Sequence, residues 1–315
     1  MDAMQQGLAL LLIVHAWIDG YSAWNRDANV NFFSGVGTSA HRANEIALNV
    51  AALEIVREPK PVGFHLTLVG GDSADVVHAG EPQRHRHPVR NIYQASVTCD
   101  AKVVQLEAGV YPSHIGFEGF FSKDNWNYTR GWLGELSPYY QSGVKASRSF
   151  GRWSAQVHYL RGWQNVSDSN ASKAIGTQIA FGGSRLSASF NTYADSHRKF
   201  GDVVATLNAT PKLSLGASID RGHDTGANWL GAGVYGRYAI DDRHAIAVRA
   251  ERFRDPDAGI SGFAQTLSEA TLTYEARRGA HLILKLEGRR DHSTAAVFND
   301  SNNQTLAIAS VVIAY

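Results

Sequence analysis

The sequence has few of the features that mark other classes of protein. It contains one cysteine, Cys99, so no internal disulfide can form and a disulfide-stapled scaffold is excluded. The longest uncharged apolar run, Leu8–Val14, is far shorter than the ~20 residues that a membrane-spanning helix needs. Lys and Arg number 30 against 29 Asp and Glu. Without a basic excess, a nucleic acid is not expected as a partner.

The sequence is rich in glycine, with 30 residues, and in aromatic residues, with 7 Trp, 12 Tyr and 13 Phe. Its repeating unit is a stretch of about ten residues in which apolar and polar side chains alternate, followed by a turn signal. The clearest stretch is 211–222. One face of it carries Leu213, Leu215, Ala217 and Ile219, and the other carries Ser214, Gly216, Ser218 and Asp220. A period of two predicts a strand with one apolar and one polar face.

This pattern recurs often enough to predict a single architecture. We expect an all-β fold, a transmembrane antiparallel β-barrel of about 16 strands with short periplasmic turns and long extracellular loops. The predicted strands are 16–25, 45–57, 61–71, 91–99, 103–111, 138–149, 152–163, 172–181, 185–195, 199–208, 212–221, 228–240, 243–253, 264–277, 280–290 and 304–315. A bulge is expected at Ala51-Ala52-Leu53, where the alternation breaks.

The connections between these strands alternate in length, which a soluble sandwich has no reason to do. The even-numbered connections are tight turns such as Glu58-Pro59-Lys60 and Arg278-Gly279. The odd-numbered connections are mostly long, with 196–198 as the exception. They span 26–44, 72–90, 112–137, 164–171, 196–198, 222–227, 254–263 and 291–303. Long loops at one end and short turns at the other are typical of outer-membrane barrels.

The two ends of the chain indicate its domain organisation. Residues 1–15 are interpreted either as the remnant of a secretory signal or as a leader into the first strand, because the apolar stretch lacks a positive n-region. Residues 16–315 are expected to form one barrel domain. The last strand alternates regularly and stops at Tyr315, an aromatic residue suited to the membrane interface.

The stretch 111–143 carries a set of short motifs that resemble a known family. Pro-Ser-His-Ile-Gly-Phe-Glu at 112–118, Ser-Lys-Asp-Asn-Trp at 122–126 and Ser-Pro-Tyr-Tyr at 137–140 are similar to motifs of the OmpL-like β-barrel porins of Gram-negative outer membranes. The resemblance covers roughly residues 40–315 and is densest at 90–182. It implies an outer-membrane location and a porin, while the first forty residues and the loop 72–90 match poorly.

The segment 112–137 is the third and longest of the long loops, and by analogy with general porins it is expected to fold inward and narrow the pore. Opposed charges on the loop and on the inward strand faces would then set ion preference. The residues predicted to line the pore or its constriction are Glu118, Lys123, Asp124, Arg130, Glu135, Arg237, Arg249, Glu251, Glu269, Lys285, Glu287 and Arg289. Two alternatives stay open: these charges are merely solvated, or Trp126, Tyr128 and Trp132 plug the lumen or pack the loop to the wall.

Two histidine-containing motifs could in principle carry chemistry. His85 and His87 could share a metal ion, but nearby acidic partners are few and a solvated loop is the preferred interpretation. Ser113-His114 lacks a third group that would orient the histidine, and no nucleophile elbow is present. We therefore expect neither an enzyme nor a metal site, and no cofactor.

The composition and pattern favour an outer-membrane porin that lets small hydrophilic solutes or ions diffuse through a water-filled barrel. The alternative is an outer-membrane binding protein or adhesin with a plugged lumen, acting through its extracellular loops. A third hypothesis, an outer-membrane lipase or protease, finds no assembled site in the sequence. The expected partners are outer-membrane lipid and the diffusing solutes, and a homo-oligomer is left open.

Overall fold

The computed structural model describes residues 12–26, 30–33, 35–82, 89–167 and 172–315. These residues form sixteen strands and two short helices, and neither helix is long or apolar enough to cross a membrane. The strands are β1 Ile13–Asn25, β2 Ile46–Arg57, β3 Val62–Gly70, β4 Ile92–Asp100, β5 Gln105–Pro112, β6 Tyr140–Phe150, β7 Trp153–Leu160, β8 Ala174–Gly182, β9 Leu186–Ala194, β10 Arg198–Asn208, β11 Leu213–Asp224, β12 Ala227–Ala239, β13 His244–Asp255, β14 Gln265–Arg278, β15 Leu282–Ser293 and β16 Asn303–Ala314. The helices are α1 Asp72–Val77 and α2 Trp132–Glu135.

Each strand pairs antiparallel with its neighbours in sequence, and β16 pairs with β1 to close the barrel. At the seam the backbone amides of Ala16 and Tyr315 each donate to the carbonyl oxygen of the other residue, at 2.8 Å. Closure leaves no strand edge without a partner, which a sheet in hydrocarbon requires because lipid offers no hydrogen bonds. The predicted fold class, a barrel of about 16 antiparallel strands, is confirmed.

The alternation in the sequence places polar residues inside and apolar residues outside. In β13, Arg249 and Glu251 lie buried in the interior, while Val248 and Ile246 are exposed on the outer face. The same two-residue period runs through β11 to β16. An outward apolar face and an inward polar face are what a barrel in a membrane requires.

One bulge interrupts the pairing of β1 with β2, near the position where the alternation predicted one. Asp19 pairs with Val50 but Gly20 pairs with Leu48, so Asn49 is the extra residue. The bulge therefore lies at Asn49 rather than at 51–53. The Asn49 side chain is buried and donates a hydrogen bond to Asp19 Oδ2 at 2.6 Å, so the extra residue has a partner inside the barrel.

The connections at one end of the barrel are short and most of those at the other end are long. We number the connections at the second end loop 1 to loop 8 in chain order. Loop 3, residues 113–139, is the longest, because β5 continues to Pro112 and β6 begins at Tyr140. Loop 6 was predicted to be long, at 222–227, but this was wrong. Strands β11 and β12 extend to a two-residue turn at Thr225 and Gly226, both at positive φ, which is the geometry of a tight hairpin.

The predicted leader falls largely on residues that lie outside the described part of the chain. The structure describes the chain from residue 12 onward, and β1 begins at Ile13. The segment from Ile13 to His15 pairs with Val56, Ile55 and Glu54 of β2. These three residues of the predicted leader therefore belong to the first strand of the barrel.

Candidate pore constriction

Loop 3 lies inside the barrel and contacts strands on widely separated parts of the wall. The Tyr128 hydroxyl donates to Asp19 Oδ1 of β1 at 3.0 Å. The Gly116 amide donates to Asp202 Oδ2 of β10 at 3.2 Å. The Asn127 side chain donates to Thr273 Oγ1 of β14 at 2.8 Å. A segment that reaches the inner faces of these strands must cross the lumen.

A buried ion cluster ties loop 3 to the wall at β13 and β14. The Arg249 guanidinium lies 2.7 Å from Glu118 Oε1 of loop 3 and 3.0 Å from Glu269 Oε1 of β14. It also donates to the Thr129 carbonyl oxygen at 2.5 Å. All three charged side chains are almost fully buried. One guanidinium, with its several donors in a plane, thus joins two wall strands to two points of the loop.

Carboxylates of the wall also accept hydrogen bonds from backbone amides of loop 3, most of which has no regular secondary structure. Glu287 of β15 accepts hydrogen bonds from the amides of Tyr128 and Thr129, at 2.6 and 3.0 Å. Glu251 of β13 accepts one from the Leu133 amide at 3.0 Å. A buried loop without regular structure carries backbone groups that would otherwise be unsatisfied, at a cost of about 1–3 kcal/mol each. These carboxylates therefore act as backbone partners.

Two basic residues of β15 donate hydrogen bonds to backbone carbonyl oxygens of loop 3. Lys285 Nζ donates to the carbonyl oxygens of Ser122 and Asn125, at 2.9 and 2.6 Å. Arg289 donates to the Arg130 carbonyl oxygen at 2.5 Å, and its charge is balanced by Asp291 at 2.8 Å. Wall carboxylates thus accept from the amides of loop 3, and wall cations donate to its carbonyl oxygens. The wall is therefore complementary to a single backbone conformation of loop 3.

Inward-facing glycines give loop 3 room to lie against the wall. A Cβ added at Gly176 of β8 would lie 2.8 Å from the His114 ring, and one at Gly231 of β12 would lie 3.1 Å from Leu133. Gly216 of β11 leaves room for the ring of Phe117 in the same way, since its Cβ would lie 2.6 Å from that ring. Three strands thus lack side chains where three loop residues pack.

Loops 1 and 8 cover loop 3 on the side of the long loops. Trp132 of α2 is fully buried, stacks on Phe33 of loop 1 with ring centroids 5.5 Å apart, and lies 5.9 Å from Phe298 of loop 8. Glu135 accepts hydrogen bonds from the amides of Gly37 and Thr38 of loop 1, at 2.9 and 3.0 Å. The loop is therefore held between the wall and a second layer of loops.

Burial also sets the protonation of two loop 3 side chains. Burial, reinforced by the neighbouring Asp19, raises the pKa of Tyr128 well above its usual value, so its hydroxyl stays protonated and donates. Burial lowers the pKa of His114, whose ring faces Gln141 and the carbonyl oxygen of Thr192. Both pKa shifts favour the uncharged form, so Tyr128 and His114 contribute hydrogen bonds and not ion pairs to the anchorage of loop 3.

Water-accessible space remains on both sides of loop 3. At the long-loop end a cavity of ≈ 800 Å³ is lined by polar and charged residues that include Arg161, Asp195 and Arg198. A smaller cavity of ≈ 180 Å³ shares Trp163 and Gln164 with it and reaches Glu135, Leu136 and Ser137 of loop 3. Toward the short-turn end, partly exposed inward residues include Glu107, Lys123, Asp124, Lys145, Gln156, Gln178 and Arg237.

The twelve charged residues predicted for the pore fall into two groups. Nine are buried between loop 3 and its surroundings: Glu118, Arg130, Glu135, Arg249, Glu251, Glu269, Lys285, Glu287 and Arg289. The other three, Lys123, Asp124 and Arg237, keep contact with solvent, and Lys123 and Asp124 form an ion pair at 2.9 Å. The structure thus brings the nine together as the anchorage of the loop and leaves the three facing water.

Several residues of this site were not singled out by the sequence. Asp291 balances Arg289, Asp19 accepts from Tyr128, and Thr38 of loop 1 binds Glu135. The inward alternation of β1 and β15 could have signalled Asp19 and Asp291, since both occupy inward positions. Thr38 lies in an irregular loop, where no periodicity identifies a buried residue.

Of the two histidine-containing motifs, the structure describes only Ser113-His114. His114 bonds to Gln141 and to the Thr192 carbonyl oxygen, while the Ser113 hydroxyl accepts from the Ile115 amide. His85 and His87 lie outside the described residues. Within the described ranges no group of three or more His, Cys, Asp or Glu side chains is arranged to hold a metal ion.

Comparison with known proteins agrees with this architecture. Solved structures with the same fold include an anion-selective porin from Comamonas acidovorans, with 12% identity, a TM-score of 0.64 and coverage of 97% of this chain and 99% of that one. A mutant of the Rh. blastica porin matches at 13% identity and 0.64, covering 97% and 100%. The trimer form of OmpT, an outer membrane protein of Vibrio cholerae, matches at 8% and 0.65, covering 97% and 99%.

At such low identity these structures establish the fold alone. A search of curated protein sequences finds no match. The family model described as "Putative beta-barrel porin-2, OmpL-like" matches residues 12–315, nearly the whole chain. The closed barrel, the structural neighbours and this match together support a multi-pass β-barrel of the outer membrane. The chain therefore belongs to the OmpL-like β-barrel porin family, as its motifs suggested.

Proposed function

We propose that this barrel is a passive diffusion channel for small hydrophilic solutes or ions, narrowed by loop 3. The observation that carries the proposal is the asymmetry of the interior. Loop 3 is bound tightly to β13, β14 and β15 by buried ion pairs and hydrogen bonds. The opposite wall, at β5 to β7, presents polar side chains that stay partly exposed: Glu107, Lys145 and Gln156. Solutes would pass between the loop and this wall.

Buried charge pairs suit a constriction that must keep its shape. Removing one partner of a buried pair leaves the other charge desolvated, at a cost of about 3–5 kcal/mol. Glu118, Arg249 and Glu269 form such a group. A loop held in this way keeps one fixed position across the lumen. The nine buried charges would then fix the width of the passage, and the three accessible ones would act on the solute.

Single-channel conductance of the refolded protein in a planar lipid bilayer tests this proposal. A narrowed passage should give discrete open steps with a measurable ion preference, after heat-shifted gel mobility has shown that the barrel is folded. A folded barrel that never conducts would contradict the channel. It would instead support a binding protein or adhesin with a plugged lumen, since Tyr128 and Trp132 already fill part of the interior. A homo-oligomer stays a prediction, and light scattering of the detergent-solubilised protein measures it.

The ion preference should depend on the exposed pair at the tip of loop 3. Lys123 and Asp124 form an ion pair that solvent reaches, with Asp124 59% exposed. Asp124→Asn leaves the lysine unbalanced and should shift the permeability ratio toward anions, while Lys123→Gln should shift it toward cations. An exposed charge contributes about 1 kcal/mol or less, so we expect a change of about two- to fivefold.

Reversal potentials in a salt gradient measure both variants. Asp241→Asn, at an exposed turn between β12 and β13, is the matched control and should leave the ratio unchanged. If the two loop variants shift the ratio in the same direction, or not at all, the tip of loop 3 does not face the ion pathway.

A further inference from the structure

A groove on the lipid-facing side of the barrel combines an apolar floor with a basic rim. It lies across β9 to β11 near the long-loop end and has a volume of ≈ 450 Å³. Phe190, Val203 and Ile219 are about half exposed and face outward on three adjacent strands. Lys199 and Arg221 are exposed at the edge of the groove that faces the long loops. Loop 3 and the lumen lie on the other side of the wall.

The strand register explains the shape of this groove. Val203 pairs with Phe190 on one side and with Ile219 on the other, so the three apolar side chains lie in one row. Two residues further along β10, Gly201 pairs with Arg221, and a Cβ there would meet nothing closer than 3.6 Å. Because Gly201 has no side chain, the row between the apolar floor and the basic rim stays open.

The basic rim continues around the barrel. His223 pairs with Lys199, while Arg254 and Arg252 of β13 face outward opposite Leu230 and Ala232 of β12. In the described part of the chain, no carboxylate forms an ion pair with Lys199, Arg221, Arg252 or Arg254. The outward positions of β10 to β13 carry no acidic residue at all.

Among the described residues, the basic patch therefore has no acidic counterpart. All of these residues lie within four positions of the long-loop ends of their strands, where the hydrocarbon gives way to headgroups. Asp257, in the loop after β13, accepts a hydrogen bond from the Asn228 amide of β12 at 3.0 Å. Several cations that face the membrane at the headgroup level need anions from the membrane itself.

We propose that this groove binds a phosphorylated lipid of the outer leaflet, of the lipid A class. An acyl chain would lie along Phe190, Val203 and Ile219 and cross the gap at Gly201. A phosphate on the headgroup would then meet Arg221 and Lys199, since a guanidinium binds phosphate oxygens in a two-pronged geometry. Charge complementarity favours this occupant over a second copy of the chain, which would bring the same uncompensated cations to the contact.

Retention of added lipid, measured by native mass spectrometry of the detergent-solubilised barrel, tests the proposal. The probes are bisphosphorylated lipid A, the same lipid without its phosphates, and phosphatidylcholine. The double variant Lys199→Gln with Arg221→Gln should weaken binding of phosphorylated lipid A by about tenfold or more, because each lost charge-assisted contact contributes about that much. The matched control replaces Arg148 and Arg278, outward arginines at the short-turn end, by Gln and should retain lipid normally.

A second variant tests the apolar half of the groove without touching its charge. Gly201→Leu places a side chain in the open row and should reduce lipid retention while the rim stays intact. Equal binding of phosphorylated and dephosphorylated lipid, or unchanged binding in both the Lys199/Arg221 double variant and the Gly201 variant, would overturn the proposal. Crosslinking between copies through Val203→Cys, in a Cys99→Ser background, would likewise overturn it by assigning this face to a second copy. Conductance of the variants should match the wild type, so this test stands apart from the channel.

Discussion

Replacing Arg249 by Met should free loop 3 from the wall and enlarge the conductance steps of the barrel. The substitution keeps an unbranched side chain of similar length but leaves the carboxylates of Glu118 and Glu269 buried without their counter-ion. Breaking such a cluster costs about 3–5 kcal/mol, so the detached population of the loop should rise by about a hundredfold or more. The barrel itself should persist, because its strands are held by their own backbone ladders.

Two measurements check this outcome. Hydrogen exchange should accelerate at the amides of loop 3 and not in the strands, and single-channel recordings should show larger and noisier openings. Arg252→Gln, three residues along the same strand and facing outward, is the matched control and should change neither. If loop 3 keeps its protection in Arg249→Met, the ion cluster is not what anchors it.

Trp132→Ala should loosen the layer in which loops 1, 3 and 8 pack together. The indole is fully buried and contacts Phe33 and Phe298, which belong to the loops on either side of the β1–β16 seam. Removing a buried tryptophan typically costs about 3–5 kcal/mol, since the loops cannot fully close the cavity that it leaves. We expect loops 1 and 8 to become accessible to protease while the heat-shifted gel mobility of the barrel remains.

Trp126→Ala provides the matched comparison, because Trp126 lies in the same loop but is only partly buried and packs on Phe117. Limited proteolysis of the two variants side by side should show a much larger effect for Trp132. Equal effects would mean that the loop layer does not depend on this indole.

The fold could be predicted from the sequence because each strand of a membrane barrel requires apolar and polar residues to alternate, and this alternation is visible locally. The two-residue alternation of β13 places Val248 outside and Arg249 inside, and the sequence alone shows which residues share a face. Loop 6, which was predicted to be long and is a two-residue turn, shows what the alternation pattern cannot predict. Thr225 and Gly226 form a tight turn only because their backbone adopts positive φ, which polar residues at 222–227 did not reveal.

The anchorage of loop 3 could not be predicted in this way. The sequence shows that Arg249 faces inward, but not whether water or protein lies in front of it. Its partner Glu118 is 131 residues away, and the two meet because loop 3 crosses the lumen. The same holds for Glu287 and the amides of Tyr128 and Thr129, 159 and 158 residues distant.

The sequence by itself determined the barrel, its closure and the inward or outward direction of its strand residues. Those properties follow from alternation and turn spacing, which neighbouring residues specify together. Only the tertiary structure decided that nine of the predicted pore charges hold loop 3 and that Lys123, Asp124 and Arg237 face water. A charged side chain on an inward face can contact either water or a buried partner. Which of the two it contacts depends on whether loop 3, from a distant part of the chain, lies against it. A charge is buried only where such a partner is present, because burying an unpaired charge is costly.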